Sequence, residues 1–312
     1  MDVKQVAILG ATSHIAKGLI IGLSQQGYKL TLFARSLDQV HDFVQNNKIY
    51  DKITILPFEH FGSSAYDVII NCVGIGDPQK LKYSGSKIFY ITEQFDNLIL
   101  DFLVRYPDTL YINLSSGASY GINFKEPVDE SSYAQLNINN ITTDDYYGIA
   151  KLYIEAKHRS LKEYNIVDLR VFGYFSRFIN LSSSYFINEI ILCIKQNREL
   201  VTGPGNIVRD YVHPSDLVGL IESCIDKHKV NDTYDVYSLA PVTKFEILEF
   251  FTAVYKLKYV IDDKVIIQTA TGLKEHYYSK SRKAEAIGYA PTLTSLECIK
   301  KETEQILHNN IK

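Results

Sequence analysis

The stretch Val6-Ala7-Ile8-Leu9-Gly10-Ala11-Thr12-Ser13-His14-Ile15-Ala16 runs a short apolar segment into a glycine turn and then into a helix-forming run. A buried strand, a tight turn and a helix N-terminus in that order make a ready site for a pyrophosphate. The turn exposes backbone N–H groups, and the helix adds the positive end of its dipole. The spacing is that of a GxxGxxG fingerprint with Ser13 and Ala16 in the places of the later glycines. Ser13 narrows the room for phosphate but brings a hydroxyl donor, and Ala16 still permits close helix–strand packing. Gly10, Thr12, Ser13, His14 and Ile15 are therefore the expected first contacts of a dinucleotide.

Outward from that turn, strand-like and helix-like segments alternate. Val3–Leu9, Lys29–Phe33, Ile53–Leu56, Val68–Asn71, Leu110–Leu114 and Val167–Val171 are short, rich in β-branched residues and bounded by polar or glycine positions. Between them, Ile15–Gln26, Leu37–Asn46, Lys87–Arg105 and Asp144–Tyr164 carry apolar residues at helical spacing. Such alternation predicts an α/β fold with a Rossmann-type, doubly wound parallel sheet, whose ligands sit at the carboxyl ends of the strands. Residues 1–172 are expected to form the dinucleotide-binding domain. Residues 173–312 are expected to form mainly a smaller substrate-binding lobe, with segments returning to the first. There, Ser182-Ser183-Ser184 could cap a helix over Tyr185–Gln196. Further helices are expected near Pro214–Lys227, Thr243–Tyr255 and Ser295–Leu307, with a strand near Asp235–Leu239.

Composition narrows the function classes. A formal net charge of −3 gives no general attraction to nucleic acid or anionic lipid. The four cysteines, Cys72, Cys193, Cys224 and Cys298, lie too far apart for metal-ligand spacing or a disulfide scaffold, and are read as buried apolar residues. The N-terminal apolar run is too short for a signal peptide, and no run is long enough to span a bilayer. A cytoplasmic protein is expected, with no metal.

At the end of the second strand the chain reads Leu32-Phe33-Ala34-Arg35-Ser36. A site for NAD usually places Asp or Glu there to accept from the ribose 2′-hydroxyl. A guanidinium beside a hydroxyl suits a 2′-phosphate, so Arg35 and Ser36 point to NADP(H). After the fourth strand, Asn71, Val73 and Gly74 fall where the backbone passes under the nicotinamide ribose.

The fifth strand ends Ile112-Asn113-Leu114-Ser115-Ser116, and further on comes Tyr146-Tyr147-Gly148-Ile149-Ala150-Lys151. Four positions separate Tyr147 from Lys151, which puts both on one helix face. The spacing matters because a free tyrosine holds its proton to about pH 10, and a neighbouring ammonium favours its release. A serine at the adjoining strand end can hydrogen-bond a substrate oxygen.

Taken in this order, these motifs resemble the extended short-chain dehydrogenase/reductases, the NAD-dependent epimerase/dehydratase group that works on nucleotide sugars. The resemblance covers nearly the whole chain. It implies that Ser116 is the catalytic serine and that Ser115 is its neighbour at the cofactor. It also implies that Tyr147 is the acid/base and that Lys151 tunes Tyr147 and holds the nicotinamide ribose. Tyr146 is read as packing. Leu169-Arg170-Val171-Phe172-Gly173 is similar to the family's L-R-x-F-N, with Gly173 where Asn is common. Val208-Arg209-Asp210-Tyr211-Val212-His213 is similar to its R-D-Y-V-H segment, which implies that Arg209 binds the substrate diphosphate. His213 is expected to cap or pack. Tyr185 and Asn188 are further expected substrate contacts. The stretch from Ser281 to Pro291 matches the family's closing motif and is read as structural.

Ser116-Gly117-Ala118 lacks the carboxyl groups that the family's dehydratases carry, and Ala118 stands where its epimerase-reductases have Cys. The expected activity is NADPH-dependent reduction of the 4-keto group of a nucleotide-linked 6-deoxy sugar, by a homodimer pairing through Lys87–Arg105 and Asp144–Tyr164. The alternatives are a 4-epimerase retaining NAD and a non-catalytic NADP-binding regulator.

Overall fold

The structure, a computed structural model, describes residues 3–227, 229–265 and 274–308. The first half runs β1 (Gln5–Leu9), α1 (His14–Gln25), β2 (Lys29–Phe33), α2 (Leu37–Asn46), β3 (Ile53–Leu56), β4 (Val68–Asn71), α3 (Pro78–Ser84), α4 (Lys87–Arg105), β5 (Leu110–Ser116), α5 (Thr143–Ser160) and β6 (Asn165–Val171). The second half runs α6 (Phe186–Lys195), β7 (Leu200–Thr202), β8 (Val208–Arg209), α7 (Pro214–Ile225), β9 (Asn231–Val236), β10 (Val242–Thr243), α8 (Lys244–Tyr255), β11 (Tyr259–Ile261), β12 (His276–Tyr277) and α9 (Ser295–His308).

Seven strands form one parallel sheet in the order β3-β2-β1-β4-β5-β6-β9. Helices cover both faces, so the strands are buried on both sides. Val6 and Ile8 of β1 belong to one apolar cluster, and Ala7 and Leu9 to another. Chain direction across the sheet reverses between β1 and β4, which leaves a crevice at their carboxyl ends. β5 runs two residues beyond the expected Leu114, because Ser115 and Ser116 pair with Arg170 and Val171 of β6.

The second half contributes to two places. β9 completes the sheet beside β6, and α7 packs on α1 so closely that a Cβ on Gly22 would lie 2.5 Å from Val218. Separately, α6, α8 and α9 bury Ile190, Ile191, Leu248, Phe251, Cys298 and Ile299 in an apolar cluster of their own.

Three further departures from the sequence expectation have a cause in side-chain hydrogen bonding. α5 stops at Ser160, not Tyr164, because Asn231 Nδ2 donates to the carbonyls of His158, Leu161 and Tyr164 and ends the helix there. The serine run does not cap α6. Its N-cap is Tyr185, without a side-chain bond, while Ser183 donates to Asp77. β9 begins at Asn231 and stops at Val236, since Ser238 N–H turns away to donate to Asp210. All four cysteines are buried and free. No helix among the described residues is long and apolar enough to cross a membrane.

Candidate active site

Gly10 has φ +80°, and a Cβ there would sit 2.9 Å from the backbone carbonyl of Cys72. The β1–α1 turn therefore lies directly against the end of β4, and only glycine fits. Ser13 caps α1 by accepting from Ala16 N–H at 3.2 Å, a bond that leaves its own O–H hydrogen unused. Thr12 precedes that cap, and the N–H groups of His14 and Ile15 open the helix without helical acceptors. This cradle fits a dinucleotide pyrophosphate. The His14 ring packs edge-on against Tyr174 at 5.0 Å, and burial lowers its pKa to about 4. Only its backbone can meet a phosphate. Ser36 stands at the N-cap of α2 with no side-chain capping bond, beside an exposed Arg35.

The Asn71 side chain is likewise engaged within the fold. Its Oδ1 accepts from Val73 N–H at 3.0 Å, and its Nδ2 donates to the Tyr111 hydroxyl at 3.2 Å. The side chain holds the floor of the crevice in shape and is not itself free for a ligand. Gly74 leaves open space there, with the Lys151 Nζ 3.9 Å from where a Cβ would stand.

Tight backbone approaches bring α5 to the end of β5. A Cβ on Gly148 would meet the Ala118 carbonyl at 2.4 Å, and one on Gly117 would meet the Phe172 ring at 2.4 Å. Larger residues would push the helix off the strand end. In consequence Tyr147 and Lys151 share one side of the cleft, with the ammonium 5.9 Å from the ring centroid. Lys151 is buried and donates to the Leu114 carbonyl at 2.8 Å, which leaves two of its three hydrogens for other acceptors. Tyr146 packs on Phe89 with ring centroids 5.5 Å apart, as expected of a packing residue.

The two serines of the strand end part company, as strand alternation requires. Ser115 donates to Glu155 at 2.5 Å, and Glu155 is clamped by Arg170, so the Ser115 hydroxyl hydrogen is spent within the fold. Ser116 Oγ lies 3.2 Å from the Tyr277 hydroxyl and accepts from Ala118 N–H at 3.2 Å.

The far wall comes from the second half. Arg209 donates to the carbonyls of Val208 and Glu275 and has no ion pair among the described residues. Burial lowers its pKa. Neighbouring Asp210 and Asp216 are engaged elsewhere, with Ser238 and Ser295 and with Thr292 respectively. Gly173, which departs from the family's Asn, has a structural reason: a Cβ would meet the Asp210 carbonyl at 2.3 Å. Tyr185 reaches across the cleft to the Gly76 carbonyl at 2.5 Å, and Tyr147 is among the groups that influence its titration. Asn188 is corrected: it is fully buried, and its Nδ2 holds the carbonyls of Asn180 and Ser183. His213 caps α7 by accepting from Ser215 N–H.

Sequence reasoning missed Tyr277, Lys274 and Phe124. Lys274, only 4% exposed, has its ammonium 3.9 Å from the Tyr277 ring centroid and 5.1 Å from that of Phe124. Burial, then the nearby charge of Arg209, lowers its pKa to about 7. Nothing local in the sequence marks these residues, because Tyr277 lies 161 positions from Ser116.

Several solved structures with this architecture are of enzymes named for nucleotide sugars. A UDP-N-acetylglucosamine 4-epimerase from Methanobrevibacter ruminantium M1 superposes with TM-score 0.79 at 17% identity over 100% of both chains. A UDP-glucose-4-epimerase from Stenotrophomonas maltophila gives 0.81 at 15% identity over 98% of each. A dTDP-glucose 4,6-dehydratase from Bacillus anthracis str. Ames gives 0.76 at 16% identity, over 99% of this chain and 97% of that one. At such identities the likeness concerns the fold. No curated protein matches the chain in sequence. Residues 6–240, most of the chain, match the sequence profile of the NAD dependent epimerase/dehydratase family, and the chain belongs to that family.

Proposed function

We propose that the protein reduces the 4-keto group of a nucleotide-linked 6-deoxy sugar with NADPH. The observation that carries this reading is the placement of Tyr147 and Lys151 together on α5 against the end of β5, the strand that carries Ser116, with an Arg209 that has no carboxylate partner among the described residues. Arg35 and Ser36, with no acidic residue at the end of β2, support NADP(H). The neighbours support nucleotide sugars as substrates: the Methanobrevibacter structure holds UDP-N-acetylmuramic acid, and the Stenotrophomonas structure holds NAD with a formylated UDP-arabinopyranose.

Bound nicotinamide supplies the hydride that the keto carbon receives. Tyr147 passes its phenol proton to the carbonyl oxygen as that oxygen gains charge. Lys151, beside the ring, offsets the negative charge left on Tyr147 and keeps hydrogens for the ribose. Ser116 donates a hydrogen bond to the same carbonyl oxygen. Arg209 faces the diphosphate and fixes the sugar's position. Solvent returns the proton to Tyr147. Pairing of two copies through α4 and α5 is part of the reading, supported by the exposed Tyr90, Val104 and Tyr153 on those helices.

A 4-epimerase retaining NAD is the second reading, favoured by the 4-epimerases among the neighbours. One experiment separates the two. The protein is incubated with dTDP-, CDP-, GDP- and UDP-linked 4-keto-6-deoxy sugars, with NADPH and NADH side by side, while absorbance at the reduced nicotinamide band is followed; in parallel it is incubated with the matching 4-hydroxy sugars and NAD, and the products are separated by chromatography. Consumption of NADPH by one sugar, lost by about a hundredfold or more in Tyr147→Phe with NADPH binding retained, supports the reductase. Interconversion of a 4-hydroxy sugar with its epimer, without net NADPH consumption, makes it the epimerase. Should neither occur, the catalytic reading falls.

A further inference from the structure

A serine hydroxyl has one hydrogen and two lone pairs. In Ser116 one lone pair takes the Ala118 N–H, and the bond to Tyr277 can then run in either direction. Were Ser116 the donor, its one hydrogen would be spent on Tyr277 and none would remain for a substrate oxygen. With Tyr277 as the donor, both lone pairs of Ser116 are filled and its hydrogen is left for the substrate.

Three observations favour the second arrangement. Among the described residues, Ser116 Oγ is the one acceptor for the Tyr277 hydroxyl, so the opposite polarity would leave the hydrogen of a half-buried phenol without a protein partner. Burial raises the pKa of Tyr277, which keeps it a protonated donor. The ring is also held on several sides: Phe124 edge-on at 4.7 Å, Phe172 at 5.2 Å, and the Lys274 ammonium 3.9 Å from the centroid. Its backbone pairs with Arg209 through β8 and β12, so the phenol is registered to the proposed diphosphate arginine.

We propose that Tyr277 is a positioning residue whose hydroxyl donates to Ser116 Oγ and so aims the Ser116 hydrogen at the reacting oxygen. Donor chains of this kind strengthen their last bond, since each member polarises the next. The inference rests on the role of Ser116 proposed above.

The test is a double-mutant cycle of Ser116→Ala and Tyr277→Phe, assayed for NADPH consumption on the same panel of 4-keto-6-deoxy nucleotide sugars. Tyr277→Phe alone is expected to lower kcat about tenfold, the scale of one hydrogen bond, with KM little changed. In the Ser116→Ala background the same change should cost nothing further. Ser116→Thr, which keeps a hydroxyl, should restore the tenfold sensitivity. Thermal melting and NADPH binding check that each variant is folded. Independent losses that multiply, or a Tyr277→Phe effect confined to KM, overturn the inference and leave the role of Ser116 standing. If Ser116→Ala turns over like the unaltered protein, or if no sugar is turned over, the underlying reading fails and takes this one with it.

Discussion

Two groups of buried charges in this molecule follow opposite rules. Between α4, α5 and the sheet, His158 bridges Asp96 at 2.7 Å and Asp168 at 2.9 Å. Lys157 pairs with Asp96 at 2.5 Å, and Arg159 with Asp168 at 3.0 Å. Tyr111 donates to Asp96, and Asn113 to Asp168. Every charge there faces an opposite one. In the cleft, by contrast, Lys274 is buried and Arg209 half-buried with no carboxylate among the described residues to meet them. Charge that serves the fold is neutralised by the fold. Charge left uncompensated at a cleft is what a bound anion would complete.

The largest effect should come from breaking the paired group. His158→Ala leaves two buried carboxylates short of their shared cation and should destabilise the protein by about 3–5 kcal/mol. Burial works against the charged ring, but Asp168 and Asp96 overcome it and raise the His158 pKa from 6.5 to about 9. A raised folded value means the contribution is fully present below pH 6.5 and is lost as pH rises through 9. Denaturant unfolding of both proteins at pH 6 and pH 9.5 measures this, and the gap between them should shrink at the higher pH. A gap below about 1 kcal/mol at pH 6 would reduce the network to the worth of surface pairs.

Arg209 should behave in the reverse manner. Arg209→Met removes a charge that no carboxylate among the described residues satisfies, so the unfolding midpoint should hold or rise. Binding of UDP and dTDP, measured by titration calorimetry, should weaken about thirtyfold, the equivalent of about 2 kcal/mol. Unchanged nucleotide binding with lost stability would place Arg209 with the structural charges and erase the contrast.

How much of this the sequence held depends on the range of the interaction. The strand–turn–helix at Gly10 and the Tyr147–Lys151 spacing were legible because one helical turn or one βα junction contains them. The split between Ser115 and Ser116 follows from strand alternation, yet which of them faces Glu155 needed the register with β6. Asn71, His14 and Asn188 looked like ligand contacts because their polar groups fall near the crevice in sequence. The Asn71 and Asn188 amides instead donate to the Tyr111 hydroxyl and the Asn180 carbonyl, and the His14 ring packs on Tyr174, all in other parts of the chain. Tyr277 reaches the cleft because β12 lies beside β8, and Lys274 because it bridges to Phe124, pairings too short to carry a periodic signal.

The smallest expected effect tests whether an unpaired charge costs the fold anything. Lys274 is 4% exposed, and burial followed by repulsion from Arg209 lowers its pKa from 10.5 to about 7. Below pH 7 folded and unfolded chains both hold the proton, and the native state bears the full penalty. Between pH 7 and 10.5 the unfolded chain keeps a proton the native state has released, so this residue makes stability rise with pH across that window. The faces of Tyr277 and Phe124 return part of the penalty by attracting the ammonium. Lys274→Met keeps an apolar stem of similar length and should raise stability by about 1 kcal/mol at pH 6, with the gain fading toward pH 10. Thermal melts of both proteins at the two pH values decide it. Were Lys274→Met less stable at pH 6, the two rings would outweigh the burial penalty, and Lys274 would belong with the charges the fold has already neutralised.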